Sequence, residues 1–97
     1  MNDYYDYDKT IRDLSNIILE WENVDMVEQL LNALLTPYEL ENLSKRWWLV
    51  KQLHNGKTQR DISKEIRVSL CKITRGSHEL KKENSILKYL LEKKDNV

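Results

Sequence analysis

Residues 59–76 of this chain read QRDISKEIRVSLCKITRG. Four apolar side chains in this stretch have the spacing that two short helices need to share a small core across a tight turn: Ile62, Ile66, Val68 and Ile73. Thr58 and Ser69 stand before the two segments, and hydroxyl side chains at such positions cap helix N-termini. Ser63 is small where we expect the two helices to cross closely. The stretch therefore predicts a helix-turn-helix over residues 59–76.

The sequence before this stretch has the periodicity of further helices. Glycine occurs only at positions 56 and 76 and proline only at 37, and no segment alternates apolar and polar residues as a half-buried strand does. Two amphipathic helices are predicted on either side of Glu22. We assign their apolar stripes to the core and to a dimer interface: Ile11, Leu14, Ile18, Trp21, Val24, Val27, Leu31, Leu34 and Leu35.

A long helix is predicted to begin at Pro37 and to end at Asn55 and Gly56, because proline suits the first helical position and glycine the left-handed closing one. Trp47 and Trp48 are assigned to core or dimer packing. The buried face of this long helix is predicted to hold Leu40, Leu43, Trp47, Val50 and Leu53. A last helix is expected over residues 85–94, so the chain is predicted to be all-α, with six helices in a single domain over residues 1–97.

The composition excludes several classes of protein. Cys71 is the single cysteine, so no internal disulfide can form, and with only His54 and His78 beside it we expect no metal site. No apolar run approaches the roughly 20 residues that cross a bilayer, and the acidic, tyrosine-rich start does not resemble a signal peptide. We therefore expect a cytoplasmic protein without a membrane partner.

Charge is distributed unevenly although the net charge is zero. Residues 1–42 contain ten acidic and two basic side chains, and residues 1–23 are predicted to be an acidic N-terminal arm and helix. Residues 45–76 contain nine basic and two acidic side chains. A basic stretch can be an ordinary solvated surface, but together with a helix-turn-helix it favours a polyanionic partner that meets the middle of the chain.

The run Ile-Thr-Arg-Gly-Ser at residues 73–77, with Leu80-Lys81 after it, resembles the tryptophan repressor family. The resemblance extends to Thr36-Pro37, Arg46 and Gly56 and covers roughly residues 24–94. It implies an intertwined homodimer in which the helix-turn-helix reads double-stranded operator DNA. It also implies L-tryptophan as corepressor and control of genes for tryptophan biosynthesis or uptake.

The same resemblance assigns the ligand site. Arg46 and Arg75 are implied to sandwich the indole of L-tryptophan, with Arg75 also facing the carboxylate and Gly76 leaving room for the ring. Thr36 is implied to add a hydroxyl contact with the ligand. The backbone carbonyls of Ala33 and Leu35 are implied to receive its ammonium group.

Four positions depart from the family pattern. Ala33 is smaller than the leucine often found there, but a contact made by its backbone carbonyl does not depend on the side chain. Lys72 stands where well-known members have a threonine beside both ligand and DNA, and Glu79 stands where some have a serine that helps hold the ammonium group. Glu79 can either pair with that ammonium group or draw Arg75 away from the carboxylate, and the sequence leaves both alternatives open. Arg67 replaces the usual turn glycine, with a modest cost if the turn requires positive φ.

The DNA-binding residues follow from the resemblance and from the predicted helix ends. Gln59 and Arg60 match family positions that touch DNA, and arginine can make a bidentate contact with guanine. Other DNA contacts are expected near the start of the second helix and from one lysine before the first: Ser69, Leu70, Cys71, Lys72, Thr74 and Lys57.

Two alternatives to a tryptophan-controlled repressor remain. One is a related regulator with a different ligand or none, for which altered pocket residues are the expected mark. The other is a helical protein-interaction module that binds through its acidic arm. An enzyme is not expected, because the sequence has no recognisable paired carboxylates, nucleophile with a base, metal cluster or glycine-rich phosphate loop.

Overall fold

The computed structural model describes residues 4–95 and contains six helices and no strand in that span. The helices are α1 (Tyr7–Glu20), α2 (Val24–Leu34), α3 (Pro37–His54), α4 (Gln59–Glu65), α5 (Leu70–Lys81) and α6 (Ile86–Asp95). This confirms the predicted all-helical class. Residues 1–3, where the predicted acidic arm begins, lie outside the described residues. No helix within residues 4–95 is long and apolar enough to cross a membrane.

The chain divides into two compact units, one up to residue 37 and the other from residue 38 onward. The prediction of a single domain over residues 1–97 stays a prediction. In the first unit, the side chains of Asp6 and Asn23 cap α1 and α2 by accepting backbone N–H groups. Neither helix has a buried residue in this chain, and Val24 is 80% exposed. One chain therefore does not bury these apolar stripes fully, and their assignment to the core and to a dimer interface stays a prediction.

The helix ends of the second unit follow the sequence closely. Thr58 Oγ1 accepts the backbone N–H of Asp61 at 3.1 Å, and Ser69 Oγ accepts that of Lys72 at 3.3 Å. Both predicted caps are confirmed. Each hydroxyl satisfies a donor that the first helical turn leaves without a partner, a contribution of about 1 kcal/mol.

Gly56 ends α3 as predicted, with a φ of 95°. Its N–H donates to Leu53 O at 3.1 Å, and the N–H of Lys57 donates to Gln52 O at 3.0 Å. This pair of bonds is the Schellman motif, in which the residue after the helix takes a left-handed conformation that glycine adopts without steric cost. The motif ends α3 and sends the chain directly into α4.

The connection between α4 and α5 contains no left-handed residue. Asn84 is the one non-glycine residue within residues 4–95 that has a positive φ, at 60°. The cost considered for Arg67 is therefore absent. Asn84 lies in a turn closed by the Ser85 N–H, which donates to Lys82 O at 3.2 Å. Asparagine tolerates this conformation better than most side chains, and the turn sends the chain from α5 into α6.

The core of the second unit joins four helices. Its buried apolar side chains are Leu49, Val50, Ile62, Ile73 and Leu91. Ile66 and Val68 are partly buried against it, so the predicted shared core of α4 and α5 is confirmed. Within one chain the predicted buried face of α3 is wrong at two positions, because Leu43 and Trp47 are exposed by 44% and 38%. Leu49, which the predicted stripe omitted, is buried in their place. Packing of Trp47 in a dimer stays a prediction.

A glycine, not the serine expected from the sequence, allows close helix packing in this core. Ser63 is exposed, and its hydroxyl donates to Arg60 O at 2.8 Å, so the expected role in a close crossing is wrong. Gly76 on α5 is buried, and a Cβ placed there would lie 2.6 Å from Leu49 Cδ1 on α3. Leu49 is itself 1% exposed and has little room to move.

The substitution Gly76→Ala should therefore destabilise the protein. Overpacking typically costs about 1–3 kcal/mol, and the better helix propensity of alanine offsets roughly 1 kcal/mol of that. Urea unfolding measures the net change. In a Leu49→Val background the conflicting Cδ1 atom is gone, so the same glycine substitution should cost less. An equal penalty in both backgrounds would show that the contact with Leu49 is not the cause.

Candidate functional site

A cleft of about 480 Å³ lies between α3, α5 and the start of α6. Its volume falls in the range of about 300–1,000 Å³ that is typical of small-molecule sites. Its apolar lining comes from Leu43, Trp47, Leu49, Val50, Ile86 and Leu87. The sequence did not assign a site role to this lining, although Leu43 and Trp47 are four residues apart and so share one face of α3. An apolar cleft of this size can hold an aromatic or aliphatic group.

Five of the predicted ligand residues line this cleft, namely Arg46, Lys72, Arg75, Gly76 and Glu79. Arg46 lies on α3 and the other four on α5. They are therefore brought together because α5 packs closely on α3. Gly76 has a clear structural task in that packing, while its predicted role beside a ligand ring stays a prediction.

The two arginines of the cleft form no hydrogen bond or ion pair among the described residues. Both are exposed. This geometry does not favour a role of Arg46 and Arg75 in salt bridges. Planar guanidinium groups that are not held in an ion pair can bind a carboxylate bidentately or stack on an aromatic ring.

Glu79 is paired with a lysine of its own helix. Its Oε1 accepts from Lys82 Nζ at 2.9 Å, one turn further along α5. That hydrogen bond lowers the pKa of the Glu79 carboxyl below its ordinary value; burial opposes the shift, and the positive charges of Lys82 and Arg75 add to it. Glu79 therefore stays ionised, with Lys82 as its direct partner and Arg75 as a more distant charge.

Lys72 contacts α3 at a residue that the sequence analysis missed. Its Nζ donates to Asn42 Oδ1 at 2.8 Å, and the contact is partly buried. Asn42 stands four residues before Arg46, so helical spacing alone places both on the same face of α3. This spacing could have indicated that Asn42 lies beside the cleft. It could not have identified Asn42 as the partner of Lys72, because a flexible lysine side chain can reach many surface positions.

The remaining predicted ligand residues belong to the first unit. Ala33 lies in α2, and Leu35 follows as the helix C-cap, with its N–H donating to Leu31 O at 3.0 Å. Thr36 comes next and precedes α3. Their predicted contacts with the ammonium group of a ligand stay predictions.

The predicted DNA-binding residues cluster at the starts of α4 and α5. Gln59 and Arg60 form the first turn of α4, and Ser69 caps α5. Leu70 is 68% exposed and Cys71 is exposed, whereas Thr74 is only partly accessible. Insertion of a recognition helix into a major groove requires that its first turn is exposed, as that of α5 is, while the rest of the helix packs on its neighbours.

Lys57 has two partners within the second unit. It forms an ion pair with Glu65, and its Nζ lies 5.5 Å from the centroid of the Trp48 ring. It also lines a wider depression of about 600 Å³ together with Gln59, Lys81 and Lys88. The predicted DNA contact of Lys57 thus belongs to a basic surface around the start of α4, where phosphate neutralisation needs such charges.

Within residues 4–95, no three His, Cys, Asp or Glu side chains are placed to hold a metal ion. The candidate site consists of the apolar cleft with its cationic side chains and of the neighbouring basic surface around the start of α4.

Comparison with known proteins places this arrangement in context. The family model described as Trp repressor protein matches residues 9–95 of the chain. A protein called Trp operon repressor homolog from Vibrio parahaemolyticus is 44% identical over 70 residues, which cover 67% of this chain and 68% of that protein.

Two further relatives carry the same name. The protein from Vibrio vulnificus is 40% identical over 80 residues, covering 81% of this chain and 74% of its own length. The protein from Xylella fastidiosa is 33% identical over 81 residues, covering 82% of this chain and 87% of its own length. The matches thus extend over most of the chain in three bacterial proteins.

Because Glu79 is ion-paired with Lys82, removal of Lys82 should change the pKa of Glu79. Replacing Lys82 by methionine removes the hydrogen bond and one positive charge, so the pKa of Glu79 should rise toward its ordinary value. The pair stabilises the folded chain above the unfolded-state pKa, and this contribution is lost as the pH falls through the lowered folded-state pKa. Carboxyl-detected NMR titration measures the shift. Lys81→Met is the matched control and should leave Glu79 unchanged; an unchanged pKa in Lys82→Met would contradict the pairing.

Proposed function

The chain belongs to the Trp repressor family, and on that premise we propose that it is a sequence-specific DNA-binding transcriptional repressor with L-tryptophan as its corepressor. The predicted family is confirmed. Because the family is regulatory, the prediction that the chain is not an enzyme is confirmed as well. The observation that carries the proposal is the cleft in which Arg46 and Arg75 approach an apolar lining and form no ion pair within residues 4–95.

The ligand fits the chemistry of this cleft. The apolar lining, which includes Trp47 and Val50, suits the indole ring. Arg46 and Arg75 supply guanidinium groups for stacking on the ring, and Arg75 is proposed to bind the carboxylate. The ammonium group is proposed to meet the carbonyls of Ala33 and Leu35 and the hydroxyl of Thr36. Lys72, Gly76 and Glu79 complete the proposed site.

The DNA interface is proposed to be the helix-turn-helix of α4 and α5. The two helices contact each other and share Ile62 and Ile73, both fully buried, in one core. In this arrangement the first turn of α5 enters the major groove. The proposed contacts to bases and phosphates come from Gln59, Arg60, Ser69, Leu70, Cys71, Lys72, Thr74 and Lys57.

A homodimer is proposed because α1 and α2 present apolar side chains that one chain leaves uncovered. Trp21 is 51% exposed, and Leu19 and Val24 are about four-fifths exposed. Exposed apolar surface of this kind marks an interaction site, and a second copy would supply a matching face. Two copies also place two reading helices on successive half-sites of an operator. We propose that this dimer acts in the cytoplasm on genes for tryptophan biosynthesis or uptake.

One observation favours a related regulator with another ligand or none. Lys72 and Glu79 replace smaller family residues and are tied to Asn42 and Lys82 in this chain. A helical protein-interaction module that binds through the acidic arm is the alternative outside DNA binding. The basic surface around α4 argues against that module.

Isothermal titration calorimetry of L-tryptophan into the full chain tests the ligand. Saturable heat is expected for the wild type, and Arg75→Ala should weaken binding roughly 10- to 100-fold, because a charged hydrogen-bond partner of the carboxylate is lost. Arg12→Ala on α1 is the matched control and should bind as the wild type does. No heat in the wild type at several temperatures would contradict L-tryptophan as the ligand.

The salt dependence of binding to a mixed-sequence DNA duplex tests the DNA interface. Affinity should fall steeply with salt because neutralised phosphates release counter-ions. Arg60→Ala should reduce the slope of log affinity against log salt by about 1 if it contacts a phosphate, while Arg12→Ala should leave the slope unchanged. Binding that does not respond to salt would favour the protein-interaction module.

A further inference from the structure

The hydrogen bond between Lys72 and Asn42 joins two helices that are distant in sequence. Lys72 Nζ donates to Asn42 Oδ1 at 2.8 Å across 30 residues, and the contact is partly buried. The pairs Lys57–Glu65 and Lys82–Glu79 span eight residues or fewer. The bond to Asn42 therefore differs in kind, because it connects the first turn of α5 directly to α3.

The first turn of α5 is held at its base by Val68 and Ile73, which pack in or against the core, and by Lys72 toward α3. Leu70 is 68% exposed and Cys71 is exposed, so neither packs into the core. The buried residues of α5 are Ile73, Gly76 and Ser77, which lie further along the helix. A charge-assisted hydrogen bond in a partly buried place is stronger than one in open solvent. Lys72 and its partner therefore add a direct restraint between the first turn and α3 to the packing of Ile73.

From this geometry we infer that Asn42 is a positioning residue that holds the DNA-reading end of α5 against α3, through Lys72, before any ligand binds. The inference rests on the proposed function, since it concerns the helix proposed to enter the major groove. Lys72 also lines the ligand cleft. The hydrogen bond between Lys72 and Asn42 therefore holds the first turn of α5 in part, so a ligand in the cleft has less of this turn left to order.

This arrangement has a consequence for regulation. A ligand shifts a protein toward its DNA-binding state only by as much as its affinity differs between the two states. If Asn42 already favours the DNA-binding orientation, the protein without ligand retains more affinity for DNA, and added ligand raises that affinity by a smaller factor. Loss of the bond should make DNA binding depend more strongly on the ligand.

The test compares Asn42→Leu, which has a similar size but no acceptor, with Asn42→Asp, which keeps an acceptor and adds charge complementarity to Lys72. Hydrogen exchange of the full chain is measured without ligand at the backbone amides of Ile73, Thr74 and Arg75. Exchange in Asn42→Leu should be roughly three- to tenfold faster than in the wild type. Asn42→Asp should exchange as slowly as the wild type or more slowly. Asn16→Leu, at an exposed position of α1, controls for the substitution itself.

Hydrogen exchange in a second region distinguishes a positioning effect on α5 from general destabilisation of the protein. The amide of Leu91, in the core on α6, should exchange at the same rate in all four proteins. Equal exchange at the α5 amides of Asn42→Leu and the wild type would overturn the inference. An equal acceleration at Leu91 and at the α5 amides would overturn it too, because the role would then be purely structural.

Binding to a DNA duplex supplies the functional readout. Without L-tryptophan, Asn42→Leu should bind several-fold more weakly than Asn42→Asp, and saturating L-tryptophan should narrow this difference. A difference that L-tryptophan leaves unchanged would overturn the inference. If L-tryptophan has no effect on the wild type, the proposed ligand is contradicted, while the exchange comparison without ligand still decides the role of Asn42.

Discussion

The close approach of α5 to α3 at Gly76 is the constraint on which the rest of the second unit depends. With no side chain at this position, α5 lies directly against Leu49. This packing buries Ile73 and brings Arg75, the next residue before the glycine, to the same cleft as Arg46 on α3. A side chain at position 76 would force the two helices apart or displace Leu49. The geometry of the cleft therefore follows from one missing Cβ atom.

The same helix carries both proposed activities, and this explains how they can be linked. α5 presents Arg75 and Glu79 to the cleft, while its exposed first turn, with Leu70 and Cys71, faces the proposed DNA surface. Any ligand that contacts α5 in the cleft acts on the orientation of its first turn. Coupling between two sites needs only such an element with two orientations that both partners bias.

Local signals in the sequence were sufficient for the helices and their ends. Thr58, Ser69 and Gly56 act where their chemistry predicts, because capping depends on groups within a few residues. The cleft residues Arg46 and Arg75 were predicted through the family resemblance and not through their spacing.

Other features depended on packing that no local pattern encodes. α3 has a broad apolar surface, so periodicity alone could not decide whether Leu49 or Trp47 is buried. The partners of Lys72 and Glu79 depend on the choice among several groups within reach of a flexible side chain, and only the folded chain specifies that choice.

Ligand and DNA binding are proposed to be linked through α5, and a linkage measurement on the wild-type chain tests this. A duplex is selected from a random-sequence pool with L-tryptophan present, and its affinity is then measured with and without saturating L-tryptophan. DNA binding should be tighter with the ligand, by a factor within about 5–150, and the affinity for the ligand should rise by the same factor when the duplex is bound. Equal DNA affinity in both conditions, with the ligand shown to bind, would contradict this linkage.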